Sequence, residues 1–432
     1  MRILVYCWKA YNQADIIAAF RRRGHIVDTF EAELGNFERD DNFSGAFTKK
    51  LSGYTDGTGK VPKENGLKDN TTSVYDIVFS VNYFPIISDL CGQFEGLKYV
   101  CWTCDSPLST MYHQSIFNKC NYIFIFDRFC YMTFKEFGAN VYYLPLAAAV
   151  ERADEVIQQE DKRHNKCRNA EKCGDDCEND SDSENHDNCK YKYDVSFIGS
   201  MYRKNSYDEI KDKLPDYVRG YFDALMKLQM EIYGENYIDG MLTADIIEEL
   251  NRHFKIEKSE RSFSDISLIF STTVLGFKIA QLERYKLLGE LSKYFDVNVF
   301  TDDENAEFIL AHNRGPVRYW DESTIVFAES KINLNFTIRN IRSGIPLRVW
   351  DILAAGGFCI TNFQPELVMY FKNGEDLVWF EDETDLVKKV RYYLTHEDER
   401  KRIALNGQKK VRELHSYDER LKMMESAIDI SE

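Results

Sequence analysis

Two successive arrays of alternating strand and helix patterns, one on each side of a charged, apolar-poor tract, limit this chain to a narrow set of folds. In the first array, Arg2–Tyr6 is a short apolar run. Asp15–Arg23 carries apolar residues at helical spacing, and Gly24 ends that helix. Strands follow at His25–Phe30, Tyr75–Tyr83, Lys98–Thr103, Tyr122–Phe126 and Val141–Leu146, with a polar, helix-like segment between Thr103 and Tyr122. Continuous apolar strands separated by helices predict a parallel sheet covered on both faces. The polar stretch Asn36–Thr72 reads as a long loop or irregular insertion.

Residues 151–192 break the pattern and are expected to be disordered or loosely folded. Within them, Glu171–Asn188 holds eight acids and one Lys, nearly half of the chain's net charge of −16. The second array resumes at Asp194–Gly199. A helix-rich region spans about Tyr207–Ile279, and a helix is expected at Ala280–Tyr294. Strands are expected at Val297–Phe300, Lys331–Phe336, Phe358–Thr361 and Leu377–Trp379. Amphipathic helices follow at Asp385–Leu394 and Glu397–Leu414. The predicted fold class is α/β, with two Rossmann-like parallel-sheet domains facing across a cleft. The expected division is 1–150 for an acceptor-side domain, 151–192 for an acidic, Cys-containing linker, and 193–414 for a second domain with a helical insertion around 207–279. Residues 415–432 are expected to form a helix returning to the first domain.

The 432 residues suit two or three domains, and 44% hydrophobic with 29% charged residues excludes a fibrous or wholly disordered chain. Global acidity argues against nucleic acid as a partner. No run of 18 apolar residues occurs, so no transmembrane segment is expected, and the N-terminus reads as a strand and not a signal peptide. Eleven cysteines, an odd number, suit a reducing cytosol better than a disulfide framework, so a cytoplasmic location is expected. Cys101 and Cys104 form a CxxC at the end of an apolar strand, where buried packing is the expected role. Cys167, Cys173, Cys177 and Cys189, with His164 and His186, carry two readings: a Zn²⁺ site, or a flexible acidic linker. Their spacings match no standard ribbon or finger, so the linker is the default and no metal is assigned.

The most informative segment is Lys331–Glu366, KINLNFTIRNIRSGIPLRVWDILAAGGFCITNFQPE, which reads as strand, loop, helix, glycine pair and strand. Ser343-Gly344-Ile345-Pro346 precedes a helix starting near Leu347, whose unpaired N–H groups and dipole suit a phosphate. Arg348 in the first turn suits a diphosphate. Asp351, one turn on, suits two ribose hydroxyls. The alternative is an Arg–Asp i,i+3 pair that stabilises the helix start.

This segment resembles the nucleotide-sugar domain of GT-B glycosyltransferases, and more narrowly the spore-maturation (CgeB-like) type. The likeness covers about Val195–Arg420 and continues through EDETDLVKKVRYYLTHEDERKRIALNGQKKVRELHSYDER. The N-terminal half resembles the uncharacterised (DUF3880-like) domain that often precedes it. The resemblance implies a metal-independent hexosyltransferase-class enzyme that takes a nucleotide sugar, a UDP-sugar first among them, as donor substrate with no further cofactor. A hydroxyl on a protein or a bacterial surface glycan is the implied acceptor. It implies donor-binding roles for Gly199, Ser200, Arg203, Lys204, Asn335, Thr337, Ser343, Gly344, Ile345, Pro346, Arg348, Asp351, Gly357, Asn362 and Glu366. Asp351 falls where related retaining enzymes carry the second Glu of their E-x7-E motif. Ser343 stands where the first Glu would be, a departure that leaves the sugar and the stereochemistry open.

On the acceptor side, CWTCDSP at Cys101–Pro107 ends a strand, and that edge faces the cleft in a parallel sheet. Asp105 is the expected acceptor-side carboxylate, against the plainer reading of a turn cap. His113 is the runner-up base, and Asn82 and Tyr83 end the preceding strand. Two rival functions stay open: a nucleotide-sugar epimerase or hydrolase, and a nucleotide-sugar-binding module without transferase activity. A homodimer is compatible with either.

Overall fold

The computed structural model describes residues 1–53, 72–171, 191–255, 258–303 and 310–430. Strands β1 (Arg2–Cys7), β2 (Ile26–Glu31), β3 (Ile77–Val81), β4 (Lys98–Trp102), β5 (Asn121–Ile125) and β6 (Val141–Tyr143) form one sheet in the order β2-β1-β3-β4-β5-β6. Strands β7 (Tyr193–Ile198), β8 (Val297–Phe300), β9 (His312–Asn313), β10 (Ser330–Asn335), β11 (Cys359–Asn362) and β12 (Val378–Phe380) form the other, in the order β12-β11-β10-β7-β8-β9. Every pairing is parallel. The centrally placed β3 and β5 are buried along their whole length, whereas the edge strands β2 and β9 are largely open to solvent. This is the burial pattern of sheets covered on both faces. The expected architecture of two Rossmann-like parallel-sheet domains is therefore present.

The C-terminal edges of the two sheets meet. Asp127, two residues past β5, accepts a hydrogen bond from the backbone N–H of Arg342, in the loop after β10, at 2.7 Å. The apolar core runs through both halves: Trp102 and Leu146 share one cluster with Trp350, Phe371 and Leu421.

Two stretches differ from expectation. Within the polar stretch 36–72, Asp41–Leu51 is a helix. Asp40 caps it by accepting from Phe43 N at 3.0 Å, and Phe43, Phe47 and Leu51 bury one face. Within 151–192, the chain from Val150 to Glu171 is helical, its start anchored by the buried Val150 and Ala153. Spacing of a few apolar residues within polar sequence carried both helices, and composition hid it. The rest of the acidic tract, with Cys173, Cys177, His186 and Cys189, lies outside the described residues. The seven cysteines whose side chains are described, Cys101 and Cys104 among them, are free thiols.

Among the described residues, one helical run, Ile266–Ser292, is long and apolar enough by length and composition to cross a membrane, an 18-residue window within it having a mean hydropathy of 1.2. Half of that window is buried inside the protein, and Glu283 and Arg284 lie within the run, both buried. It packs as a core helix of the second domain.

The helix Tyr417–Ile430 lies on Gln13–Arg22 of the first domain, where Arg22 pairs with Asp418 at 3.0 Å. Just before it, His415 is buried among Trp350, Tyr370 and Phe371. Its Nδ1 accepts from Arg420 Nη2 at 2.8 Å, a bond only the lone pair at Nδ1 can take. Burial, then the charges of Arg420 and Lys410, push its pKa from 6.5 down to about 3. The folded state therefore excludes a proton that the unfolded chain binds. Stability is complete above the unfolded value of about 6.5 and falls as pH drops toward 3. Thermal unfolding of wild type and His415→Gln across that window is expected to show a steeper acid loss in wild type; parallel curves would refute this.

Candidate functional site

The site starts from a glycine. β7 ends at Ile198, and at Gly199 a Cβ would lie 3.1 Å from Arg348 Nη2 and 3.2 Å from Phe197 Cζ. The missing side chain lets the Arg348 guanidinium lie close against the strand end; a Cβ there would push it back by a few tenths of an ångström. Arg348 stands in the first turn of the helix Leu347–Ala354, which Pro346 precedes. It is half-buried, 5.9 Å from the centre of the Phe197 ring.

A second cation, Arg284, approaches the same ring to 5.3 Å. Its guanidinium donates to the carbonyls of Ser200 and Phe336, and its Nε has no hydrogen-bond partner among the described residues. Burial lowers the pKa of both guanidinium groups, and repulsion by Arg284 adds to the effect at Arg348, which is pushed down to about 10. Among the described residues Arg348 takes no hydrogen bond or salt bridge. Two adjacent, partly desolvated cations with no carboxylate bound to Arg348 are costly unless an anion joins them. Sequence reasoning missed Arg284, because a lone Arg in an apolar helix carries no local sign of its neighbours. Arg203 and Lys204, the cations expected there, are exposed beyond Tyr202, and the Ser200 hydroxyl accepts from Tyr202 N at 3.2 Å.

Asp351 is buried one turn along from Arg348, and burial pushes its pKa up to about 6. It does not pair with Arg348 in the i,i+3 manner. Its Oδ1 accepts from Arg152 Nη2 at 3.2 Å, and its Oδ2 accepts from the Tyr319 hydroxyl at 2.9 Å. Arg152 Nε donates to both carboxylate oxygens of Asp15 at 3.1 Å.

Ser343, Gly344 and Glu366 lie in the seam between the domains. The Ser343 hydroxyl is 2.9 Å from Asp127 Oδ1 and 2.7 Å from Glu366 Oε1. Glu366 also accepts from Arg128 N at 2.8 Å and from the Tyr143 hydroxyl. A Cβ on Gly344 would meet the Phe126 ring at 2.9 Å, so the domains touch closely here. In this structure these three residues close the seam. Ile345 is buried, and its carbonyl accepts from Trp350 Nε1 at 3.4 Å.

Asn335, Thr337 and Asn362 are buried at the strand ends. Asn335 Nδ2 donates to Thr337 Oγ1 and Thr361 Oγ1, and Asn362 Oδ1 accepts from Thr337 N at 2.7 Å. They tie β10 to β11, so their first contribution is to shape. Gly357 does likewise, since a Cβ there would meet Phe327 O at 2.8 Å. The loop between β10 and the Arg348 helix is braced from outside: Gly276 makes room for Asn340, whose Oδ1 would lie 2.2 Å from a Cβ at that position.

On the facing edge, Asp105 is exposed and its Oδ2 accepts from Asn82 Nδ2 at 2.6 Å. Asn82 holds a left-handed backbone, φ 64°, at the end of β3 and also accepts from Cys104 N at 2.8 Å. Asp105 is thus oriented by Asn82, with Oδ1 free of hydrogen bonds among the described residues, and it caps no helix. His113 is buried instead, accepting from Ser115 N at 3.1 Å, with Nε2 3.6 Å from Glu38 Oε2. Tyr83 is also buried, its hydroxyl 2.7 Å from Ser115 Oγ.

Residues 278–426 match the protein family described as glycosyl transferase-like, so the segment that carries Arg284, Arg348 and Asp351 is glycosyltransferase-like in sequence. No curated protein sequence matches the chain. Similar solved structures include a glycosyltransferase from Rickettsia africae, 11% identical, covering 99% of this chain and 98% of its own, with a TM-score of 0.48. The Anabaena protein HepE, in complex with UDP-glucose, is 7% identical with 99% of each chain covered and a TM-score of 0.49. WaaG, a glycosyltransferase involved in lipopolysaccharide biosynthesis, is 11% identical with 99% of each covered and a TM-score of 0.48.

Proposed function

We propose that this protein is a glycosyltransferase that takes a nucleotide sugar, a UDP-sugar first among the candidates, and passes the sugar to a hydroxyl of a protein or surface-glycan acceptor. The observation that carries this reading is the pair Arg348 and Arg284, both near Phe197 at the C-terminal edge of the second sheet, with no carboxylate bound to Arg348 among the described residues. A diphosphate is the natural complement. Its charge offsets their repulsion, and the first turn of the Arg348 helix adds N–H groups.

Cleaving a glycosyl–phosphate bond leaves negative charge on the departing nucleotide. Fixed guanidinium groups in a partly dry site stabilise that charge as it develops, which supports chemistry without a divalent metal. Asp351 would take the ribose. Each of its oxygens accepts one hydrogen bond in the protein, and each retains a lone pair. Asp105 would face the acceptor as general base or hydroxyl ligand, aimed by Asn82. Donor entry would open the seam at Ser343 and Glu366, and its reclosing would exclude water.

A second reading, a binding module without turnover, draws on Ser343. A hydroxyl bound to Asp127 and Glu366 stands where an acid is expected. One experiment separates the two: a panel of nucleotide sugars tested for binding and for slow release of free nucleotide, with Arg348→Ala as control. Binding with release of one nucleotide is the expected result and names the donor. Binding without release, with acceptors present, favours the module. Binding of no donor would overturn both.

A further inference from the structure

We propose that Arg152 is a positioning residue that keeps Asp351 ionised and aimed for the donor's ribose. The proposal rests on the donor reading above. Arg152 stands at the start of the helix Val150–Glu171, which leaves the first domain, whereas Asp351 belongs to the second. Its guanidinium is fixed by both domains. Nε meets both oxygens of Asp15 at 3.1 Å, Nη1 reaches the carbonyl of Tyr319 at 3.3 Å, and the group stacks 4.6 Å from the centre of the Tyr319 ring. Nη2 donates to Asp351 Oδ1 and to the Tyr319 hydroxyl, each at 3.2 Å, and that hydroxyl in turn donates to Asp351 Oδ2.

The surroundings of Asp351 give this contact its consequence. The groups that face it are Arg152, Asp15 on Gln13–Arg22, Tyr319 before the helix Glu322–Ala328, Tyr417 on the C-terminal helix, and Arg348 on its own helix. Asp15 and burial oppose its charge; Arg152 and Arg348 favour it. Of these cations only Arg152 touches it. Arg348 is turned to Phe197 and Gly199, where a diphosphate would engage it. Once that happens, Arg152 is the remaining counter-charge of Asp351. An ionised Asp351 accepts from two further hydroxyls, whereas a protonated one spends an oxygen as donor. Ribose binding would then depend on a residue that never touches the nucleotide.

The test uses the full-length protein titrated between roughly pH 4 and 9. The carboxyl C=O infrared band of Asp351 is assigned with Asp351→Asn, and UDP affinity is followed by calorimetry in parallel. Arg152→Gln is expected to raise the Asp351 midpoint by roughly 1–3 units, the usual effect of losing an adjacent opposite charge. UDP affinity should fall below that same, raised midpoint. Arg152→Lys, which keeps the charge, should restore most of the wild-type profile and guards against loss of fold as the cause. An unchanged midpoint in folded Arg152→Gln overturns the proposal. A shifted midpoint with UDP affinity flat across it overturns the link to ribose. Failure of wild type to bind UDP at any pH overturns the UDP-donor reading and takes the proposal with it.

Discussion

Replacing Arg348 with Ala is expected to weaken nucleotide-sugar binding by about 1.5–3 kcal/mol, the range for a hydrogen bond to a charged group, or roughly 10- to 150-fold in affinity. The same change is expected to leave the folded state as stable as before, or slightly more so. The Arg348 guanidinium makes no hydrogen bond among the described residues, and its burial and its repulsion by Arg284 outweigh its attraction to Asp351, so its charge is a net cost to the unliganded protein. This opposition of signs is the diagnostic. A residue that only supports the helix start would lose stability and binding together. Calorimetric titration of the donor and a denaturant melt, run on one preparation, give both quantities. Unchanged donor affinity would remove Arg348 from the site. Arg348→Lys should recover part of the loss, because it restores charge but not the planar fork that grips two phosphate oxygens.

The largest loss of stability is expected from Trp350→Ala, at about 3–5 kcal/mol for a fully buried Trp. Two residues from Arg348, Trp350 packs its ring against Phe371 and His415, with centroids 5.4 and 5.2 Å away, and the Arg420 guanidinium lies 5.5 Å from it. Arg420 in turn donates to the carbonyls of Pro145 and Leu146, just after the first sheet. The cavity would therefore open where the two domains and the C-terminal helix converge. It cannot collapse without moving all three. An unfolding free energy within about 1 kcal/mol of wild type, at unchanged denaturant slope, would show that the site closes over the gap and would contradict this.

Donor affinity in Trp350→Ala should fall as well, because Ile345, which leads into the Arg348 helix, loses the indole N–H that its carbonyl accepts. Any part of that fall that comes from partial unfolding should disappear if the variant is assayed cold and without denaturant, where its fold is intact. The fall in Arg348→Ala should not.

The alternation of strands and helices was legible in the sequence because it is a local property. Ile77–Val81 and Asn121–Ile125 are apolar runs a few residues long, and their burial on both faces follows from that alone. The start of the helix at Leu347, with Arg348 in its first turn, was legible for the same reason: Gly344-Ile345-Pro346 and the apolar spacing after it lie within a dozen residues. Two helices escaped, Asp41–Leu51 and Val150–Glu171, where charge and polarity masked a narrow apolar stripe.

What the sequence by itself determined about this protein is therefore the pair of βα arrays and the position of one cation at a helix start. Partnership was decided only by the tertiary structure. Arg152 meets Asp351 across 199 residues of chain, Arg128 N meets Glu366 across 238, and Arg284 and Arg348 both lie near the Phe197 ring. Whether Arg348 is neutralised by its neighbour Asp351 or left for a ligand turns on which of two cations reaches that carboxylate first. Local periodicity places a side chain on a face, but charge acts through space, and the spacing between these groups exists only once both sheets have folded and met.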